Sequence, residues 1–194
     1  MRLPFALLRT TLLAGAIFGL LRLPDVQPQI ASAKAEVSIA EPSSSSGDCT
    51  IHYPVAFPSV NFPFGNSTDP FHFGKKRFHT GIDLQGALGT PVRSTTCGTV
   101  VFAGSENDFK SYDSGYGIHV KIQDSKGRIH LFGHLSKILV KVGDRIQSGQ
   151  LIGLVGSTGN STGPHLHYEV RVGGDDYRKA VNPAIVLAKA EQKK

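Results

Sequence analysis

Apolar and polar residues alternate with a period of two along much of the chain after His79, and the elements this pattern predicts are short strands. In Gly117 to Gln123, Ile118, Val120 and Ile122 fall on one face. In Pro164 to Val172, Leu166, Tyr168 and Val170 alternate with His165, His167 and Glu169. Thr99 to Ala103 reads as a strand, Asp124 to Gly127 as a turn, and Arg128 to Leu135 as the returning arm of a hairpin. Lys141 to Gln150 reads as a pair of turns flanking a short strand, and Leu151 to Val155 as a buried strand. Tyr53 to Phe73 is rich in Pro, Phe, Asn and Gly and has no sustained period, so it is expected to be a looped lead-in lying over the sheet. Helical signals appear only from Asn182, as N-cap, through Pro183 at the first helical position to Ala190. No internal repeat and no second domain are visible. The expected fold class is all-β: a small antiparallel β-sheet domain with a groove across one sheet face and one short C-terminal helix.

The N-terminus breaks this pattern. Arg2 and Arg9 precede an uncharged, mostly apolar run from Thr10 to Leu21, which is shorter than the roughly 20 residues of a membrane span. Ala31-Ser32-Ala33 has the small residues of a cleavage site, and Ala33-Lys34-Ala35 is a second candidate. Residues 1–33 are therefore expected to be a secretory signal peptide, with an uncleaved anchor as the alternative. Residues 34–49, ending in a serine run, Gly47, Asp48 and Cys49, are expected to form a flexible linker, and residues 50–194 the folded domain. That assignment implies an exported protein, in the periplasm, cell envelope or outside the cell, with no stable membrane insertion once the leader is removed. In such a compartment the two cysteines, Cys49 and Cys97, suit one disulfide.

The net charge is +6, and cleavage after Ala33 would remove three arginines and one aspartate to leave +4. A mildly basic exported chain is drawn to anionic envelope polymers. No basic stripe interleaved with aromatics occurs, so nucleic acid is not expected as a partner.

Three clusters carry candidate chemistry. The first is Gly163-Pro164-His165-Leu166-His167-Tyr168-Glu169-Val170, delivered by a Gly-rich loop from Gly156. Its two histidines and glutamate share one strand face, so imidazole nitrogens can approach a common metal or water; the bland alternative is a polar outer face. The second is His79-Thr80-Gly81-Ile82-Asp83, where His79, Gly81 and Asp83 share a face in extended chain and Gly81 leaves space between two potential zinc donors. The third is His134 in Phe132-Gly133-His134-Leu135-Ser136, where a strand meets a loop.

Taken together and in this order, the clusters resemble the lysostaphin- or LytM-type zinc metallopeptidases. The resemblance runs from about Phe64 to Leu187 and includes Gly89-Thr90-Pro91-Val92, the Val142-Gly143-Asp144 turn and Gly149-Gln150-Leu151-Ile152-Gly153. It implies a LytM-like domain of the barrel-sandwich-hybrid type. It implies His79, Asp83 and His167 as ligands of one Zn2+, with His134 and His165 as the catalytic pair, and peptide cross-links of peptidoglycan as substrate. Three protein ligands leave a zinc position open for water, whose pKa zinc lowers towards about 7. An unligated imidazole can then take a proton from that water while a second steadies the oxyanion or the leaving amine. Sequence does not separate His134 from His165 in those tasks, nor say which peptide bond is cut.

The remaining polar residues are less eloquent. Glu169 is expected to be solvated or salt-bridged, with a role in orienting a zinc histidine as the alternative. His130 shares parity with His134 and is expected on the groove wall or surface. His119, on the polar side of its strand, and His52 and His72, in loops, are expected to be non-catalytic. Tyr116 and Tyr168 could supply hydroxyls, although Tyr168 has core parity. Asn61 and Asn66 lie where some relatives carry a segment that plugs the zinc site. A non-enzymatic envelope module that binds or activates a wall hydrolase is the competing functional class. A carrier domain is disfavoured because its Met-Lys-Met and Asp-Lys-Ala attachment motifs are missing. Serine- and Cys97-based hydrolysis are not expected.

Overall fold

The computed structural model describes residues 49–69, 72, 74–105 and 115–191. The expected signal peptide, the expected linker up to residue 48 and residues 106–114 lie outside the described residues.

The described elements, in order, are β1 (Val60–Phe62), β2 (Gly65–Thr68), β3 (Lys76–His79), β4 (Ile82–Gln85), β5 (Pro91–Arg93), β6 (Gly98–Ser105), β7 (Ile118–Gln123), β8 (Ile129–Gly133), β9 (Leu135–Ile138), β10 (Arg145–Ile146), β11 (Leu151–Val155), β12 (His165–Arg171), β13 (Ala180–Val181) and α1 (Ala184–Glu191). The main sheet runs β1-β4-β12-β8-β7-β6-β10, with β13 added beside β12. A second sheet has the order β5-β11-β9, and β2 pairs with β3 in a separate ribbon. The fold is the all-β, antiparallel architecture expected from the alternation. No helix among the described residues is long and apolar enough to cross a membrane.

The core joins the two larger sheets. Val120, Ile122, Phe132, Leu166, Tyr168 and Val170 of the main sheet cluster with Val92, Leu135, Ile152 and Val155 of the second. These are the residues of one strand parity, and their burial fixes the register, since a slip by one would turn every apolar side chain outward. At the C-terminal end, the Asn182 side-chain oxygen accepts a hydrogen bond from the Ala184 amide at 3.0 Å, which caps α1 as its sequence predicts.

Two expectations change. The lead-in is not merely looped: Val60–Phe62 pairs with β4, and Gly65–Thr68 pairs with β3. Val55, ahead of β1, is buried in the core. Cys49 and Cys97 form a disulfide that fastens the start of the described chain to the segment before β6. Closing a loop of 48 residues is worth about 4 kcal/mol by chain entropy.

The second change concerns β7 and β12. Their polar faces are covered as well as their apolar ones: His119 and Lys121 on β7, and His167, Glu169 and Arg171 on β12, are all buried. His119 is thus no surface residue; it stacks on Phe102 at 4.3 Å between ring centroids, and its Nδ1–H donates to the Gly117 carbonyl at 2.9 Å.

Candidate active site

Strands β4 and β12 are neighbours, and their register sets Asp83 directly opposite His167. His79 reaches the same point from the end of β3. Three donor atoms converge there: His79 Nε2 lies 3.1 Å from His167 Nδ1 and 3.2 Å from Asp83 Oδ1, and His167 Nδ1 lies 2.9 Å from Asp83 Oδ1. Among the described residues this is the one group of three ligand-type side chains close enough to hold a metal ion. The triangle can be tested against zinc. Bonds of about 2.0–2.1 Å in tetrahedral geometry separate donors by roughly 3.3 Å. The observed edges are close to that, and two imidazole nitrogens with one carboxylate oxygen are a donor set suited to zinc.

Each donor is oriented from behind. The Nδ1–H of His79 donates to the Pro63 carbonyl at 2.9 Å, which leaves Nε2 with its lone pair towards the centre. His167 Nε2–H points at Glu169 Oε2, 3.3 Å away, which leaves Nδ1 facing Asp83 and His79. Burial alone would raise the Asp83 carboxyl, yet hydrogen bonds and charge from His167 and His79 hold it well below the usual carboxylate range. Burial likewise opposes a proton on His167, but Asp83 and Glu169 together raise it to about 9. Carboxylates that favour positive charge this strongly give the site the electrostatics of a cation site.

Gly81 is required by this geometry, for a reason other than the one its spacing gives. A Cβ there would lie 2.5 Å from the Tyr168 carbonyl oxygen and 2.7 Å from His167 Nε2. The space beside Gly81 is filled by the His167 ring rather than left open between His79 and Asp83.

The other two histidines border the same centre. His134 and His165 have ring centroids 4.7 Å apart, and His165 Nε2 is 3.6 Å from Asp83 Oδ1. His134 joins β8 to β9 with φ 59°, the one positive φ outside glycine among the described residues. Its Nδ1–H donates to the Thr158 carbonyl at 2.7 Å, and that of His165 donates to the Gly163 carbonyl at 2.8 Å. Both rings therefore keep Nε2 as an acceptor. Burial, followed by the neighbouring His167 and His165, pushes His134 down to about 3, so its imidazole is neutral at neutral pH.

Glu169 is salt-bridged, but in the interior rather than in solvent. It is fully buried, pairs with Arg171 Nε, and accepts from Thr80 Oγ1 at 2.6 Å and Tyr116 OH at 2.7 Å as well as facing His167. Arg171, equally buried, continues to Tyr116 OH at 3.1 Å and Asp175 at 2.7 Å. Burial would raise the Glu169 carboxyl, but His167, Arg171 and Thr80 lower it to about 2. Tyr116 supplies a hydroxyl here, as the sequence allowed, whereas Thr80, Arg171 and Asp175 are the members of this network that the sequence did not single out; for Arg171 the extension of the His165-His167-Glu169 parity was the available signal.

His130 is not on the groove. It is fully buried, with Nδ1 2.8 Å from Tyr168 OH and 3.1 Å from Thr95 Oγ1. His52 and His72 are exposed and away from the centre, and His72 pairs with Asp69 at 3.0 Å. Asn61 lines the groove, whereas Asn66 is paired opposite Phe78 in the ribbon; neither belongs to the ligand triangle. Gly159-Asn160-Ser161-Thr162-Gly163 spells the spacing of a serine-hydrolase elbow. It lies in the loop between β11 and β12 with no strand-to-helix turn, and Ser161 Oγ donates to the Gly163 carbonyl at 2.7 Å. Serine chemistry has no support there.

The centre opens into a groove of about 860 Å3 whose walls include Phe62, Arg77, Phe78, Asn160 and Tyr177.

Comparison with known proteins gives a consistent result. Residues 77–183 match peptidase family M23. The chain is 40% identical over 133 residues to the DD-carboxypeptidase/endopeptidase Mpg of Neisseria meningitidis serogroup B, a match covering 69% of this chain and 28% of that protein. The chain therefore spans little more than a quarter of that relative's length. Among solved structures it is similar to the catalytic domain of lysostaphin from Staphylococcus simulans, with TM-score 0.60, 33% identity, and coverage of 68% of this chain and 92% of the other. It is also similar to a zinc-containing peptidase from Vibrio cholerae, with TM-score 0.58, 31% identity, and coverage of 70% and 39%.

Proposed function

The chain belongs to peptidase family M23, and from that premise we propose that it is an exported zinc metalloendopeptidase that hydrolyses peptide cross-links of peptidoglycan. The observation that carries this reading is the donor triangle of His79 Nε2, Asp83 Oδ1 and His167 Nδ1, bordered by two imidazoles that are not part of it. In this reading His79, Asp83 and His167 hold one Zn2+. When bound, zinc supplies Lewis acidity towards a peptide carbonyl and acidifies water at neutral pH.

The chain's own residues supply the rest. His134 and His165, each fixed in one tautomer by a carbonyl on Nδ1, present Nε2 to the groove. One accepts the proton of the attacking water. The other receives that proton from it, hydrogen-bonds the developing oxyanion with it and delivers it to the leaving amine, which leaves both imidazoles neutral again. Glu169 acts on none of these atoms; it holds His167 in the tautomer that keeps Nδ1 free. Residues 1–33 as signal peptide and 34–49 as linker complete the reading, with the wall outside the cytoplasmic membrane as the site of action.

The test is zinc content and product analysis. The protein starting at Lys34 is assayed for bound zinc and incubated with purified peptidoglycans of different cross-bridge type, beside Asp83→Ala, and the products are read by muropeptide mass spectrometry. About one zinc per chain and new peptide termini from wild type alone are expected. A folded protein that holds no zinc, or that holds zinc and cuts no wall type, overturns the reading.

A further inference from the structure

Among the described residues, Arg77 is the one charged side chain of the groove wall that the proposed chemistry leaves without a task or a partner. It sits on β3 two residues before His79, with the same strand parity, and is half-buried while Lys76 and Phe78 on either side are exposed. Its backbone is paired with Ser67 of β2, so the strand that carries it is fixed. The other groove arginine, Arg178, is exposed and closed off by its own neighbour: Nη2 and Nε both bond the Asp176 carboxylate, at 2.6 and 3.0 Å. Among the described residues no carboxylate pairs with Arg77, and the only acidic group among those lining the groove is Asp83, which belongs to the donor triangle. A partly desolvated guanidinium on a fixed strand, with no counter-ion among the described residues, is a receptor for a planar anion, since its fork of N–H donors matches a carboxylate bidentately.

We propose that Arg77 binds a free carboxylate of the peptide substrate and so makes this groove selective for cross-links that carry such a group near the scissile bond, over neutral bridges built of glycine. The inference rests on the peptidase reading above and narrows its substrate class. Two residues of extended strand separate Arg77 from His79 by roughly 7 Å, which places the carboxylate about two residues of extended peptide from the carbonyl that reacts. With a dication at the triangle and Asp83 as the one acidic wall residue among the described residues, this part of the groove favours anionic peptides on approach as well as in place. Arg77 is a specificity residue here and takes no part in bond breaking.

The experiment uses zinc-loaded protein and two synthetic cross-linked peptides that differ only in one carboxylate, free in the first and amidated in the second, with a pentaglycine peptide as the neutral third. Steady-state kinetics give kcat and KM for each. Wild type is expected to favour the acid over the amide by roughly 10- to 100-fold in kcat/KM, carried mainly by KM, because a charge-assisted bidentate contact has about that value. Arg77→Gln lowers the acid peptide to the level of the amide, and Arg77→Lys restores part of the difference without the bidentate geometry. The preference weakens as salt is raised. Direct binding of both peptides to the zinc-loaded His134→Ala variant shows the same ratio in Kd with no turnover. Equal wild-type kcat/KM for acid and amide overturns the inference while leaving the peptidase reading intact, and so does an Arg77→Gln variant of unchanged zinc content that keeps the ratio. Cleavage of none of the three peptides, nor of any peptidoglycan, overturns both.

Discussion

Asp83 and His167 form a directly opposed pair across strands β4 and β12, with Oδ1 and Nδ1 2.9 Å apart. The register that brings them together is set on the opposite face of the same strands, where Leu84 lies across from Leu166 and Ile82 from Tyr168, all four buried. Core packing and ligand placement are therefore two sides of one alternation. Asp83→Asn preserves shape but removes the charge at the triangle. Its zinc affinity is expected to fall by more than the roughly 10- to 100-fold typical of losing a supporting contact. Competition with a chromophoric chelator measures this, and an unchanged far-UV spectrum shows that the sheet survives.

Gly81→Ala tests the close approach behind that pair. The added methyl would have to share space with the Tyr168 carbonyl and the His167 ring, at 2.5 and 2.7 Å from Cβ. A backbone oxygen cannot swing away, so the ring or β4 must shift. A loss of about 1–3 kcal/mol in urea unfolding is expected, as for other overpacked sites, together with weakened zinc binding. Gly89→Ala is the contrasting control: nothing lies within 4 Å of its Cβ, and only its positive φ is strained, so zinc binding should be untouched.

Glu169 and Arg171 make a buried ion pair directly behind His167. Removing one partner leaves the other charged and uncompensated, so Glu169→Ala is expected to cost about 3–5 kcal/mol. Glu169→Gln keeps an acceptor for Thr80 and Tyr116 and should cost less, while still loosening the hold on the His167 tautomer. Denaturant unfolding gives the first effect and zinc affinity the second. If both variants bind zinc as tightly as wild type, Glu169 has no part in orienting His167.

What could be read from the sequence, and what could not, divides along a physical line. His79, Asp83, His134, His165 and His167 were legible as one constellation, and the structure gathers all five side by side in the lining of the groove. Alternation also identified the core residues of β7 and β12. It could not say whether the other face was wet, because a period of two separates faces without revealing what covers them. Hence the burial of His119, Lys121 and Glu169 went unread. His130 illustrates a different limit. Counting by twos from His134 puts it on the groove, but His134 has φ 59°, so the extended chain ends before it and parity does not carry across. Strands β1 and β2 are three and four residues long, with Asn, Gly and Ser, too short to show a period. Their pairing with β4 and β3 is what makes them strands.

The buried His119 gives a prediction on pH. Burial is the largest influence on it and lowers it to about 4; the Gly117 carbonyl and Asp175 oppose this, whereas Lys121 and Arg171 add to it. In the unfolded chain the same imidazole titrates near 6.5. Between those values the unfolded state holds more protons, so stability rises with pH through this window. The contribution is fully present above about pH 6.5 and is lost as pH falls towards 4, by about 3 kcal/mol over the whole range. His130, whose imidazole is also lowered by burial, acts in the same direction. His119→Phe keeps a ring against Phe102, gives up the bond to Gly117, and cannot titrate. Urea midpoints of wild type and variant between pH 4 and 8 should therefore converge as the pH is lowered. Parallel curves would mean that His119 titrates alike in the folded and unfolded protein and that its burial does not control the acid side of stability.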